Sequence, residues 1–347
     1  MKRPDLSEVS PEILAYIESL EVRLGRQAKS AAPDPEPEER PAEPPTPINV
    51  ITISAGGMVK RTPRHHYTPQ RRGGMGVFDI DLAQDDAPRV LALADIEATL
   101  LLFTDLGRSY RLPARRLPET EVRARGIDLG TLLPLQPGER VIAVLPEEGG
   151  DHVALVGRRG WVNVIRASFV GKNMIPGVSY YDTERHGPLA AACWIPGKDD
   201  LFIASRAGQA IRFPMRRVPN SGTLGIQLGR DDAVVGITAV DEADGVFLLG
   251  ADGKGTIREM AGFRANQSPG GQGKVALKTD HLVAALTVAS QADLFVITRL
   301  SKLIRFAAED VPPKTGVVQG VHCIALRGDE AVAAAISRTA PAKAATG

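Results

Sequence analysis

Apolar residues along this chain collect in short runs of four to eight, closed off by glycine-bearing turns, and the pattern repeats. Residues 100–104, 153–156 and 201–204 are such runs. Each is followed by a tight turn (105–107, 159–160, 207–208) and a return run that alternates. The return runs carry a regularly placed cation: Arg61, Arg111, Arg212, Arg258 and Arg305, with Val164 taking the third place. Thirteen or 15 residues further on lies a second ladder of glycines, Gly76, Gly126, Gly177, Gly225, Gly273 and Gly320, spaced 50, 51, 48, 48 and 47 residues apart. A short apolar run follows most of these glycines, and a last strand-like run closes each unit, as at 140–144 and 281–286. Four short strands per unit of 45–50 residues is blade geometry, and six units over residues 48–337 predict an all-β, six-bladed propeller-type ring. Closing the ring hides sheet edges that would otherwise template aggregation.

Two other segments flank the repeats. Ser10, Pro11 and Glu12 read as a helix start, and Ile13, Leu14, Ile17, Leu20 and Leu24 follow at helical spacing before Gly25. Residues 1–30 are therefore expected to hold one short amphipathic helix whose stripe wants another copy, another protein or the ring flank, unless the segment is a loosely ordered tail. Residues 31–47 contain seven prolines among acids and alanines, an extended disordered linker with a reach of roughly 50 Å at ~3.1 Å per residue. Residues 338–347 read as a frayed, disordered tail.

Composition adds a charge asymmetry. The net charge of the 347 residues is +1, but residues 1–47 carry −4 and residues 48–347 carry +5. The repeats are mildly basic, so the arrangement of cations matters more than their sum. Two cysteines, Cys193 and Cys323, with no Cys-x-x-Cys, suggest a reducing compartment and no structural zinc. No run is long and apolar enough to span a bilayer. The expectation is a soluble, cytoplasmic protein with no membrane partner, no cofactor and no metal.

Aligning the units on their arginines exposes a second basic element. Pro113, Arg115, Arg116 and Pro118 recur at the same offset as Pro214, Arg216, Arg217 and Pro219. Unit one offers Arg64 with His65 and His66, and unit three offers Arg166 and Lys172. Unit five is neutral at Gly262 and Phe263, and unit six reverses the sign with Glu309 and Asp310. Rotation places equivalent loops at one height, so units one to four should carry a basic stripe ending at an acidic patch. A basic stripe poor in aromatics suits the phosphates of duplex DNA better than single strands, which want stacking platforms. With no base-reading helix, binding should be sequence-tolerant.

The most specific motif is Gln70, Arg71, Arg72, Gly73, Gly74, Met75 and Gly76, with glycines allowing close backbone approach beside two fixed cations. This heptapeptide strongly resembles the box of the DNA gyrase A C-terminal domain family, and repeat length, unit count and marker glycines agree over residues 48–337. The resemblance implies a six-bladed β-pinwheel of four-stranded blades with strands exchanged between neighbours, and duplex DNA wrapped on its basic perimeter. It implies that Gln70, Arg71, Arg72, Gly73, Gly74 and Gly76 join the first blade to the last and are needed for wrapping. Met75 departs from the family, which usually carries lysine or arginine there. The catalytic-tyrosine domain of that family has no counterpart here, and there is no ATP-binding phosphate loop. The expected protein is a freestanding, non-catalytic, nucleoid-associated module that wraps or bends DNA. Its expected contacts are the box residues with Arg61, Arg64, Arg111, Arg115, Arg116, Arg166, Lys172, Arg212, Arg216 and Arg217. Gyrase or other topoisomerase subunits are the further partners envisaged, reached through the N-terminal helix. The alternative is a propeller scaffold that binds a topoisomerase or chromosome proteins. His65 and His66 lack metal-ligand spacing, the acids at 199–200 and 231–232 read as scattered turn residues, and Cys193 reads as an inert thiol.

Overall fold

The computed structural model describes residues 43–172, 174–197, 200–288 and 291–338. The expected N-terminal helix, most of the linker and all but the first residue of the tail fall outside the described residues. Six antiparallel blades follow one another along the chain. From the ring axis outward, blade one is Pro88–Asp95, Ile48–Ser54 and Met58–Pro63. Blade two is Val141–Pro146, Thr99–Thr104 and Ser109–Pro113. Blade three is Leu189–Ile195, His152–Gly157 and Trp161–Arg166. Blade four is Val234–Val240, Asp200–Ser205 and Gln209–Pro214. Blade five is Leu282–Val288, Gly245–Gly250 and Lys254–Glu259. Blade six is Ala331–Arg338, Ala292–Thr298 and Lys302–Ala307.

The middle strands are the continuous apolar runs of the sequence, because both of their faces are covered by neighbouring blades. Phe103, Phe202, Phe247 and Phe295 are all buried there. The inner strands are rich in alanine, and each packs on the next round a closed circuit, the sixth on the first. Small side chains let the strands converge; Thr238 and Thr287 of neighbouring inner strands share a 2.6 Å hydrogen bond. A register shift recurs in each blade where inner and middle strands pair, as at Ile53/Ser54, Ala204/Ser205 and Ile297/Thr298. The core is six apolar layers, one in each joint between adjacent blades. Each blade buries a face that only its neighbour covers, which is why the ring must close.

The fourth strand of each sheet comes from the next unit. Ile127–Asp128 pairs with the outer strand of blade one, Thr223–Leu224 with that of blade three, Lys274–Val275 with blade four and Val321–His322 with blade five. A bridge between Arg108 and Ser179 does the same for blade two. The circuit is completed by Val77–Phe78 of unit one, which pairs with Lys302–Ala307 of blade six. This is the strand-exchanged pinwheel expected from the resemblance. The marker glycines exist for this crossing. Gly76 has φ +66°, and a Cβ there would lie 2.6 Å from the Leu303 carbonyl oxygen. Gly320, φ +82°, meets Gly255 in the same way at 2.5 Å.

A one-turn 3-10 helix follows every outer strand: Arg64–His66, Ala114–Arg116, Ala167–Phe169, Met215–Arg217, Met260–Gly262 and Ala308–Asp310. In each, the N–H of the following residue donates to the carbonyl of the first. The six turns are equivalent by rotation. The linker, by contrast, joins the ring earlier than its composition suggested: the Glu43 carboxylate accepts from Arg64 and Arg305 at the seam between blades one and six.

Candidate nucleic-acid interface

The ladder arginines point into the joints between blades. Arg61 donates through Nε to the Leu117 carbonyl of blade two at 2.9 Å and through Nη1 to Asn49 at 2.7 Å. Arg212 donates to Asp200 at 2.7 Å and to the Met260 carbonyl of blade five at 2.9 Å. Arg305 pairs with Asp293 and reaches the Tyr67 carbonyl of blade one at 3.2 Å. These guanidinium groups are buried, and each fastens its own middle strand to the next blade's 3-10 turn. The expectation that Arg61 and Arg212 contact phosphates is therefore corrected: both side chains are buried, with Nε and Nη1 engaged inside the joints. Arg64 is corrected on the same ground, being buried against Glu43 and Ser337. Arg111 is half-buried and ion-paired with Glu147 at 2.6 Å. The signal overlooked in the sequence was an acid or amide twelve residues upstream: Asn49, Asp200 and Asp293.

The 3-10 turns behave differently. Arg115, Arg116, Arg216 and Arg217 are all exposed, on equivalent turns of blades two and four. Arg115 lies 3.6 Å from Glu97, but with side chains 70% and 75% exposed that pairing holds neither in place. Arg166 and Lys172 are exposed at the same level of blade three. In blade six the equivalent turn presents Glu309, whose carboxylate accepts from the Gln291 N–H at 3.1 Å, and Asp310.

The box runs from blade one into blade six and holds the ring shut. The Gln70 N–H donates to the Arg305 carbonyl at 2.7 Å, the Gly73 N–H to Cys323 at 2.8 Å, and Gly74 accepts from the Ala325 N–H at 2.9 Å. Its two arginines part company. Arg72 donates to the carbonyls of Asp310 at 2.7 Å and His322 at 3.2 Å, whereas Arg71 is exposed. Met75 is exposed as well. Just beyond, Asp79 is buried and accepts from Lys60 at 2.8 Å, Thr52 at 2.7 Å and the Tyr67 hydroxyl. Burial pushes the Lys60 ammonium pKa down against the opposing pull of Asp79, and burial with the Asp79 charge pushes the Tyr67 phenol up. Burial also drives both cysteine thiols up to about 12, as an inert thiol requires.

Sequence reading missed five exposed cations beside the exchanged strands: Arg123, Arg125, Arg264, Lys274 and Lys314. Arg125 precedes and Lys274 follows a marker glycine, so an alignment on the glycines rather than the arginines would have found those two. Arg123 has a left-handed backbone, φ 69°, held by its N–H on the Asp79 carbonyl at 2.7 Å. No helix among the described residues is long and apolar enough to cross a membrane.

A family model described as DNA gyrase C-terminal domain, beta-propeller, matches residues 49–87, 98–146, 199–241 and 292–337, half of the chain. The chain belongs to the DNA gyrase C-terminal domain family. The DNA gyrase A protein of Mycolicibacterium smegmatis is 32% identical over 302 residues, covering 82% of this chain and 36% of that protein. Its counterpart from Ureaplasma parvum is 29% identical over 298 residues, covering 82% and 35%. The chain thus spans about a third of the length of these relatives. A solved DNA gyrase A C-terminal domain superposes with a TM-score of 0.73 at 18% identity, covering 83% of this chain and 99% of its own. The C-terminal domain of DNA topoisomerase IV follows with 0.60 at 16%, covering 84% and 93%. These likenesses agree with the fold described above.

Proposed function

We propose that this gyrase-type pinwheel binds duplex DNA along its perimeter and bends or wraps it without doing chemistry on it. The observation that carries this is the exposure of Arg115, Arg116, Arg216 and Arg217 on rotationally equivalent turns, with Arg166 and Lys172 between them. Arg71 begins this track, and Arg125, Lys274 and Lys314 on the exchanged strands widen it. Cations at a fixed height release counterions from successive phosphates and carry no base information, so affinity falls with salt and tolerates sequence. Glu309 in blade six repels the duplex, so the track covers part of the circumference rather than all of it.

The test is a closed circular plasmid relaxed by a nicking-closing enzyme with the protein bound. Trapped supercoils of reproducible sign support wrapping. In parallel, the Arg115/Arg116/Arg216/Arg217→Ala variant should flatten the slope of log K against log salt by up to about 3.6, four contacts at ~0.9 each. Binding with an unchanged slope rejects these residues as contacts. A second reading, a scaffold that engages protein partners, is favoured by the acidic turn of blade six beside exposed Met75 and Phe78. An unchanged topoisomer distribution decides for it.

A further inference from the structure

Blade three breaks the basic track with apolar residues. Phe169 takes the third place of its 3-10 turn, where blades two and four carry Arg116 and Arg217. It is 58% exposed, and Ile175, six residues on in the same loop, is 74% exposed. Exposure here is built rather than incidental, because described residues next to both side chains are held in place. Val170 and Met174 are buried in the joint between blades two and three, with Ser109 Oγ 3.2 Å from the Met174 sulfur. The Tyr180 hydroxyl donates to the Phe169 carbonyl, and the Val178 N–H to the Ile175 carbonyl at 3.2 Å. Arg166 and Lys172, both exposed, flank Phe169 in sequence. A rigid apolar projection between two cations, in line with arginine pairs on either side, is complementary to a polyanion with an apolar interior.

We propose that Phe169, with Ile175 as support, is a wedge that enters the minor groove of bound duplex DNA and unstacks one base step at blade three; this rests on the DNA-binding function proposed above. Apolar wedges of this kind kink a duplex toward its major groove, away from the side they enter. The kink therefore turns the duplex outward at blade three, against the curvature of the wrap, and limits how much of the perimeter one duplex follows. Pyrimidine–purine steps unstack most readily, so the wedge supplies a preference for a TA step opposite blade three, although no hydrogen bond reads it.

The experiment uses the full chain and a duplex whose single TA step carries 2-aminopurine as its adenine, in otherwise stiff sequence. Binding should raise 2-aminopurine fluorescence. Phe169→Ala should lose that rise while the salt slope of binding stays as in the wild type, and Phe169→Leu should keep it. Both replacements are at an exposed position, and thermal melting checks that the fold is kept. Tight binding with no fluorescence rise in the wild type, or the same rise in Phe169→Ala, overturns the wedge and leaves the perimeter track standing. Absence of binding by the wild-type chain overturns both.

Discussion

The guanidinium of Arg212 in blade four donates to the Met260 carbonyl of blade five at 2.9 Å, while Asp200 holds its other edge at 2.7 Å. Arg61 and Arg305 make the same reach at two other joints, so a residue type usually associated with surface charge here fastens blades. Blades two and three, with Arg111 on Glu147 and with Val164, do not make this reach, and neither does blade five. Arg258 is buried with Nε and Nη1 unpartnered, and its nearest acceptor, the Gly262 carbonyl, belongs to its own turn at 3.4 Å. Its pKa is lowered by burial.

A contrast in stability follows from that difference. Arg212→Met strands the buried Asp200 carboxylate and should cost about 3–5 kcal/mol. Arg258→Met removes a cation that burial already disfavours and should be near neutral or stabilising. Urea unfolding of the two variants checks this, and equal losses would mean that both arginines are bonded alike. Neither change should alter the salt slope of DNA binding, since neither side chain reaches the surface.

The box arginines should separate in the same two assays. Arg72→Ala removes donors to the Asp310 and His322 carbonyls and loosens the clasp between blades one and six, so it should lower stability by about 1–3 kcal/mol. Arg71→Ala should leave stability within about 0.5 kcal/mol and reduce the salt slope of binding by about one contact. Denaturant titration and salt-dependent binding of both variants would expose the reverse assignment at once.

Much of this was legible in the chain. The fold was, because strand exchange imposes one glycine per unit at the crossing and a continuous apolar run in every middle strand, and both marks survive translation into sequence. The exposed pairs Arg115/Arg116 and Arg216/Arg217 were legible because prolines bracket them identically. Arg61, Arg64 and Arg212 were misjudged because charge alone does not say which way a strand residue faces. In a ring, the return strand has a neighbour on either side, so its alternating polar position looks into the next joint instead of into water. Asp200, which receives Arg212 from the adjacent strand, looked like a scattered turn residue. The exposure of Phe169 was not legible, since nothing local in the sequence distinguishes an exposed phenylalanine from a buried one.

Glycine replacements can separate backbone strain from crowding at the exchanged strand. Gly320 and Gly138 both have positive φ, +82° and +78°, so alanine is strained at each by about 1–2 kcal/mol. A Cβ at Gly138 meets nothing within 4 Å, whereas at Gly320 it would lie 2.5 Å from the Gly255 carbonyl oxygen. Gly320→Ala must therefore push the exchanged strand off blade five and should be the more damaging by at least about 1 kcal/mol. Thermal melting decides it; equal shifts would mean that the crossing tolerates a side chain and that φ is the whole requirement.

Acid should open the seam between blades one and six first, through Glu43. Burial alone would raise the pKa of this carboxyl, but hydrogen bonds from Arg64 and Arg305 outweigh it and hold the group below its ordinary value of 4.5. A carboxylate whose pKa is lower folded than unfolded stabilises the fold fully above the unfolded value and loses that contribution as pH falls through the folded one. Glu43→Gln should therefore melt below the wild type at pH 7, with the gap narrowing once the pH drops beneath about 4.5. The gap should narrow further as the wild-type group protonates, because both chains then carry an uncharged side chain between the same two arginines. Melting both proteins from pH 7 to pH 3 measures it directly. A gap that stays constant across that range would place the contribution of Glu43 in packing rather than in its charge.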